Sequence, residues 1–214
     1  PAVAPLLANK RLSHGARLVL EAVAGPEAAK VLRAALPEVK GRPLVGAINS
    51  LGVLRDKEAT ELLAAKLADS DPEVVAAAGA ALGQIGTPEA EALLLKTLPD
   101  SAEVVRPALA DACLACAEAR LAREDRDAAT AIFDTLATMD LPGPSKLAAV
   151  RGAILARQAA GVERLAEEIE SDDPSRFAMA LSVSRELPAG EVSQAVAKLL
   201  PVASAQRQSS LLKL

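Results

Sequence analysis

Leu36, Leu67 and Leu98 stand 31 residues apart, each closing a segment of one pattern. In Lys30–Leu36, Glu61–Leu67 and Ala92–Leu98 the second, third and seventh residues are apolar. A second series keeps the same period upstream: Leu20, Leu51 and Leu82, and beside them Val23, Leu54 and Ile85. Two apolar series in phase constrain the fold more than any single motif, because they require two elements per unit, repeated. The pattern returns at Thr130–Leu136, Glu163–Ile169 and Gln194–Leu200, after steps of 38, 33 and 31. One such unit cannot bury its apolar faces alone. Stacked neighbours supply the core, so the chain is expected to be a quasi-one-dimensional array.

Each element reads as a helix. Apolar residues recur at i, i+3, i+4 and i+7, one face of a 3.6-residue period. Start and stop signals fall between them. Gly25-Pro26-Glu27 ends one helix and begins the next with Pro in a first-turn position. Gly86-Thr87-Pro88-Glu89 does the same, with Thr87 as cap. Asp71 before Pro72 is a predicted N-cap, and Ser171-Asp172-Asp173-Pro174 repeats that linker. Met139–Ser145 reads as a loop ending in a capping Ser145. The apolar half of the chain is mostly Ala, Leu and Val, with two Phe, no Trp and no Tyr. Small aliphatic side chains suit close helix stacking, and Gly79 is tolerable where it admits a neighbour.

The predicted fold class is therefore all-α: an α-α superhelix, a right-handed solenoid of about six helix pairs. The expected units are a partial one at 1–12, then 13–40, 41–70, 71–100, a longer 101–142, 143–172, 173–200, and a partial 201–214. Pro1–Ala8 reads as the end of a second helix and Ser209–Leu214 as an unfinished one, so a fragment of a longer array is expected. The chain opens at Pro1 without Met, so the native N-terminus and any signal peptide are expected to lie outside it.

Asp71–Ala90 resembles the HEAT repeat, in the short bacterial form also found in phycobilisome lyases. Asp71-Pro72, Val74, Ala77-Ala78, Ala80-Ala81-Leu82-Gly83 and Ile85-Gly86 carry the likeness, and Val75 departs where the family often has Arg. The unit at 103–139 is different. Its long first helix and the Ala131-Ile132-Phe133 run are similar to a tetratricopeptide unit, and an elongated HEAT unit fits the same residues. The resemblance implies second helices lining a concave surface used for protein binding. The exposed second-helix positions are then Glu58, Glu61, Lys66, Glu89, Lys96, Glu163, Arg164, Glu167, Glu191 and Lys198. Their acidic tilt points to a partner with a basic patch.

Other functions are disfavoured on composition. The net charge is −4 with basic and acidic residues interspersed, whereas a nucleic-acid binder carries a basic stripe. The longest apolar run, Val74–Leu82, is too short to span a bilayer. Cys113 and Cys116 form a C-x-x-C with no second pair, and His14 is the single His. Four zinc ligands cannot be assembled from that set, and buried packing is the expected role of both thiols. His14 reads as a solvated first-turn residue. Glu167-Glu168 are adjacent on a helix and do not share a face, while Asp172-Asp173 read as linker and cap. The HEAT-like hydroxylase of the hypusine pathway uses His-Glu pairs, and none occurs. No cofactor, metal or catalytic set is predicted. The expected function is a non-catalytic protein-interaction scaffold. The alternatives are an accessory domain of a larger enzyme or electron-transfer protein and, more weakly, a bilin-lyase-like role.

Overall fold

The computed structural model describes residues 3–201 and 203–213. Pro1, Ala2, Val202 and Leu214, on which the expected helix ends at both termini partly fall, lie outside them. Every element of regular structure among the described residues is a helix. The chain divides into two compact units, one running to Cys116 and one beginning at Ala117. The division falls inside the longer stretch expected at 101–142.

The first unit opens with a 3-10 turn, Ala4–Ala8. It continues with α1 (Ser13–Val23), α2 (Gly25–Ala35), α3 (Arg42–Val53), α4 (Thr60–Lys66), α5 (Pro72–Ile85) and α6 (Pro88–Thr97). The helix α7 (Arg106–Leu121) belongs to this unit as far as Cys116. First helices stack on first helices: α1 on α3, and α3 on α5 in the most extensive packing of the unit. Second helices pair likewise, α4 on α6. This is the all-α helix-pair solenoid that the repeat predicts.

The 31-residue register is visible in the core. Leu51 and Leu82 are fully buried, as are Leu63 and Leu94 on the second helices. Close approach is set by small residues. A Cβ on Gly52 would stand 2.8 Å from the Cα of Ala81 on the next first helix. Its counterpart Gly83, 31 residues on, would meet the Ala112 carbonyl at 3.0 Å. Gly79 is filled from outside by the Leu109 side chain, whose Cδ2 lies 2.5 Å from where its Cβ would be.

Helix ends follow the predicted chemistry. Asp71 accepts from the Glu73 amide at 2.9 Å, and Thr87 from the Ala90 amide at 3.2 Å. Gly86 closes α5 at φ +60°, a left-handed conformation that glycine adopts without a Cβ clash. Arg33 on α2 reaches across to the next pair, donating to Asp56 and, at 2.7 Å, to Glu58.

The second unit holds α8 (Arg126–Thr138), α9 (Gly143–Arg157), α10 (Val162–Glu170), α11 (Pro174–Val183), α12 (Ala189–Leu199) and α13 (Ala205–Leu211). Here α9 packs on α8 and α11, and α10 on α11 and α12. Asp173 caps α11 through the Ser175 amide at 2.7 Å. Ser145 is not the cap of α9. The helix starts at Gly143 with Pro142 at the N-cap, and Ser145 is buried in its first turn. Pro144 explains the shift: its fixed φ and missing N–H suit a first-turn position, which draws the helix start upstream of Ser145.

Gly52→Ala tests the close approach. Alanine is the better helix former by about 1 kcal/mol, but overpacking a fixed crossing costs about 1–3 kcal/mol. A net loss of stability is expected, read as a lower urea midpoint, whereas Ala65→Gly on the exposed face of α4 should cost only the propensity difference, about 1 kcal/mol.

Candidate partner-binding face

The structure brings the ten sequence-predicted positions together in two groups of five, one per unit. In the first unit, Glu61 and Lys66 lie on α4 and Glu89 and Lys96 on α6, while Glu58 sits in the 3-10 turn Lys57–Ala59 that leads into α4. In the second unit, Glu163, Arg164 and Glu167 lie on α10, and Glu191 and Lys198 on α12. Both groups thus occupy a pair of helices in mutual contact.

Exposure separates them. Glu58, Glu61, Glu89, Lys96, Glu163, Glu167, Glu191 and Lys198 are exposed, while Lys66 and Arg164 are half-buried. Three are engaged within the fold. Glu58 accepts from Arg33, Lys66 reaches Asp69 at 3.5 Å, and Arg164 reaches Asp134 at 3.4 Å. The Asp71 amide, at 3.1 Å, and then Lys66 hold the Asp69 carboxylate below its ordinary range. It therefore keeps its charge to lower pH than an ordinary aspartate.

A more regular feature of the first unit escaped the charge-by-charge reading. Positions i, i+4 and i+7 of each second-helix segment fall on one side, and position i+11 follows just past the helix end. They read Glu27-Val31-Ala34-Glu38, Glu58-Leu62-Ala65-Asp69 and Glu89-Leu93-Lys96-Asp100, each set 31 residues from the last. All are exposed except Val31, Asp69 and Leu93, which are half-buried, and Leu62 keeps 45% of its surface in solvent. Applying the repeat register to polar positions as well as apolar ones would have found this. The acidic excess is equally localised. Residues 57–103 hold nine acidic residues and three lysines, a net −6 against −4 for the chain, so the other 167 residues sum to +2.

The remaining polar groups serve packing. Cys113 and Cys116 are buried on α7. Burial, and then the electrostatic influence of Cys116 and Glu91, pushes the Cys113 thiol up to about 12. His14 is exposed in the first turn of α1, with Nδ1 3.2 Å from Arg17. Arg17 in turn donates to the Gly46 carbonyl at 3.1 Å and to Ser50 at 3.3 Å, joining α1 to α3. Glu168, only 3% exposed in its side chain, accepts from Arg176 Nε at 2.6 Å and Nη2 at 2.9 Å. Arg207 donates to the Ile169 and Glu170 carbonyls at 3.2 Å and the Ser171 carbonyl at 2.5 Å, and its guanidinium lies 4.8 Å from the Phe177 ring centroid. It satisfies the orphan carbonyls at the α10 C-terminus, where a cation also favours the helix dipole. Nothing in the local sequence signals Arg207, because its targets lie 36 to 38 residues away. No helix among the described residues is long and apolar enough to cross a membrane.

The family model of HEAT repeats matches residues 42–114. Among solved structures, the chain is similar to one in the complex of CpcE and CpcF of phycocyanin lyase from Nostoc sp. PCC7120. The identity is 19%, over 99% of this chain and 91% of that one, with a TM-score of 0.54. An engineered protein aligns at 19% identity over 99% of this chain and 66% of its own, with a TM-score of 0.47. No curated protein matches.

Two measurements check the packing roles. Removing Arg176 leaves the Glu168 carboxylate buried without its partner, a loss of about 3 kcal/mol, at the lower end for buried pairs because Arg176 is itself 44% exposed. Arg151→Ala, which breaks the exposed pair with Glu186 at 2.8 Å, should cost about 0–1 kcal/mol. For Cys113, the raised folded-state value means stability is full below pH 9 and falls as pH climbs towards about 12. A Cys113→Ala variant should lose less stability than the parent over that window, and native-state alkylation at pH 8 should leave Cys113 unlabelled until denaturant is added.

Proposed function

Because residues 42–114 are HEAT repeats, we propose that the chain is a non-catalytic scaffold that holds a protein partner on its second helices. The observation that carries this reading is the disposition of the charged residues. Exposed Glu61, Glu89 and Lys96 stand on the contacting helices α4 and α6, and exposed Glu163, Glu167, Glu191 and Lys198 on the contacting helices α10 and α12. Charges arranged on a rigid helical framework set partner choice and encounter rate more than raw affinity, which is the work of a binding module.

The aromatic residues weigh against a bilin-handling role. Both rings are used in the second unit's packing: Phe133 is buried on α8, and Phe177 lies beneath the Arg207 guanidinium. Neither is presented for stacking on a flat chromophore.

The test is affinity capture from the native source, comparing the parent with a Glu61→Lys/Glu167→Lys variant that retains the parental circular dichroism. The parent should retain a stoichiometric protein that the variant loses. Identical capture by both would remove the second helices from the binding surface. An absorbance shift on titrating a bilin would replace the scaffold reading with a lyase-like one.

A further inference from the structure

We infer that the α4–α6 face of the first unit is built to dock one kind of occupant: a basic amphipathic helix. This rests on the scaffold reading and names the chemistry of its partner. In the 31-residue register the three stripes place equivalent residues in rows, two of each row on or at the ends of the contacting helices α4 and α6. Val31, Leu62 and Leu93 form an apolar row, and Ala34, Ala65 and Lys96 a row beside it. Glu27, Glu58 and Glu89 bound them on one side, and Glu38, Asp69 and Asp100 on the other. In the apolar row Leu62 is 45% exposed, and Val31 and Leu93 are half-buried. Beside it a groove of about 430 Å³ opens between the C-terminal ends of α4 and α6, where Leu67, Asp69, Leu93, Lys96, Asp100 and Val104 line it, and the starts of α5 and α7 form its floor. Val104 on its rim is 71% exposed.

The placement of the second acidic row is informative. Glu27, Glu58 and Glu89 sit in the first turns of their segments, where negative charge suits the helix dipole. Glu38, Asp69 and Asp100 each lie three residues past the end of a helix (α2 at Ala35, α4 at Lys66, α6 at Thr97). At that end the dipole disfavours an anion. Asp69 is partly accounted for by its turn, through Asp71 and Lys66. Glu38 and Asp100 are exposed, and helix stability does not call for acid there.

The dimensions select a helix over an extended strand. Eight residues at 1.5 Å each carry the chain roughly 12 Å from the first acidic row to the helix end, and the turn that follows adds the last step to the second row. A helix is about 10–12 Å across with its side chains, and long Lys or Arg side chains on its flanks span the remainder while its apolar face lies on the Val31-Leu62-Leu93 row. Its charge must be basic, since the net −6 of residues 57–103 is the concentrated negative field of the chain. At the usual spacing of about 8–10 Å between packed helices, a row of three residues is about 20 Å long, roughly four turns of the occupant.

The probe is a fluorescein-labelled 21-residue Leu/Ala/Lys peptide with one leucine face flanked by lysines, measured by fluorescence anisotropy against the full chain. Two control peptides carry glutamate in place of lysine, or the same composition scrambled to abolish the apolar face. The amphipathic basic peptide should bind, more weakly as salt rises, and both controls should bind at least about tenfold more weakly. Glu89→Lys/Asp100→Lys should weaken binding about tenfold, while Glu118→Lys/Asp140→Lys, an equal charge change elsewhere, should leave it within about twofold. Leu62→Ser, at an exposed position that folding tolerates, should weaken it several-fold. Equal binding of the scrambled peptide, or an unchanged affinity in Glu89→Lys/Asp100→Lys, would overturn the proposal. Those failures leave the scaffold reading standing if native partner capture still depends on Glu61 and Glu167; loss of that dependence removes the scaffold reading itself.

Discussion

The close crossing of first helices governs the rest of the first unit. Gly52 lets α3 approach α5, and Gly83 repeats that approach one unit later, where any Cβ would press on backbone of the next helix. Once the first helices are fixed at that distance, the turns that follow them are fixed too, and the second helices emerge at matched heights. The 31-residue period is therefore more than a pattern of buried leucines. It is the spacing at which one glycine crossing can be repeated without shearing the layer beside it. A surface written in that period acquires rows for free, because equivalent residues on neighbouring second helices must align.

The polar chemistry inside the fold serves the same end. Arg17 ties α1 to α3 through a backbone carbonyl and Ser50, and Arg33 ties α2 to the turn before α4 through Asp56 and Glu58. Each guanidinium spans adjacent pairs with several donors in a planar fork, which a lysine cannot reproduce. In the second unit Arg207 satisfies the free end of α10, and Arg176 neutralises the buried Glu168. These four arginines sit at seams between helices, where backbone ends and carboxylates collect. Between Arg55 and Arg106 the chain has none, and there the glycine and alanine crossings suffice.

The fold was largely legible in the sequence because its determinants are local or strictly periodic. Leu51 and Leu82, Asp71, Thr87 and Asp173 each announce themselves within a few residues or at a fixed repeat. Ser145 was misread because two prolines compete to set the start of α9, and the loop pattern alone does not rank them. Arg207 was invisible because its partners lie a full unit away. The candidate face was legible only in part. Reading Glu58, Glu61 and Lys96 as separate exposed charges found members of the surface, but its order lies in Val31, Leu62 and Leu93 and in the acids that bracket them. Those apolar residues were absorbed into the expected core, since periodicity does not say which side of a helix a neighbour covers.

Hydrogen–deuterium exchange of the chain, with and without its captured partner, tests the central claim most directly. The account predicts new protection at α4 and α6, in residues 57–69 and 88–103, with the buried α3 and α5 little changed. Protection confined to the first helices, or none in those two stretches, would contradict it.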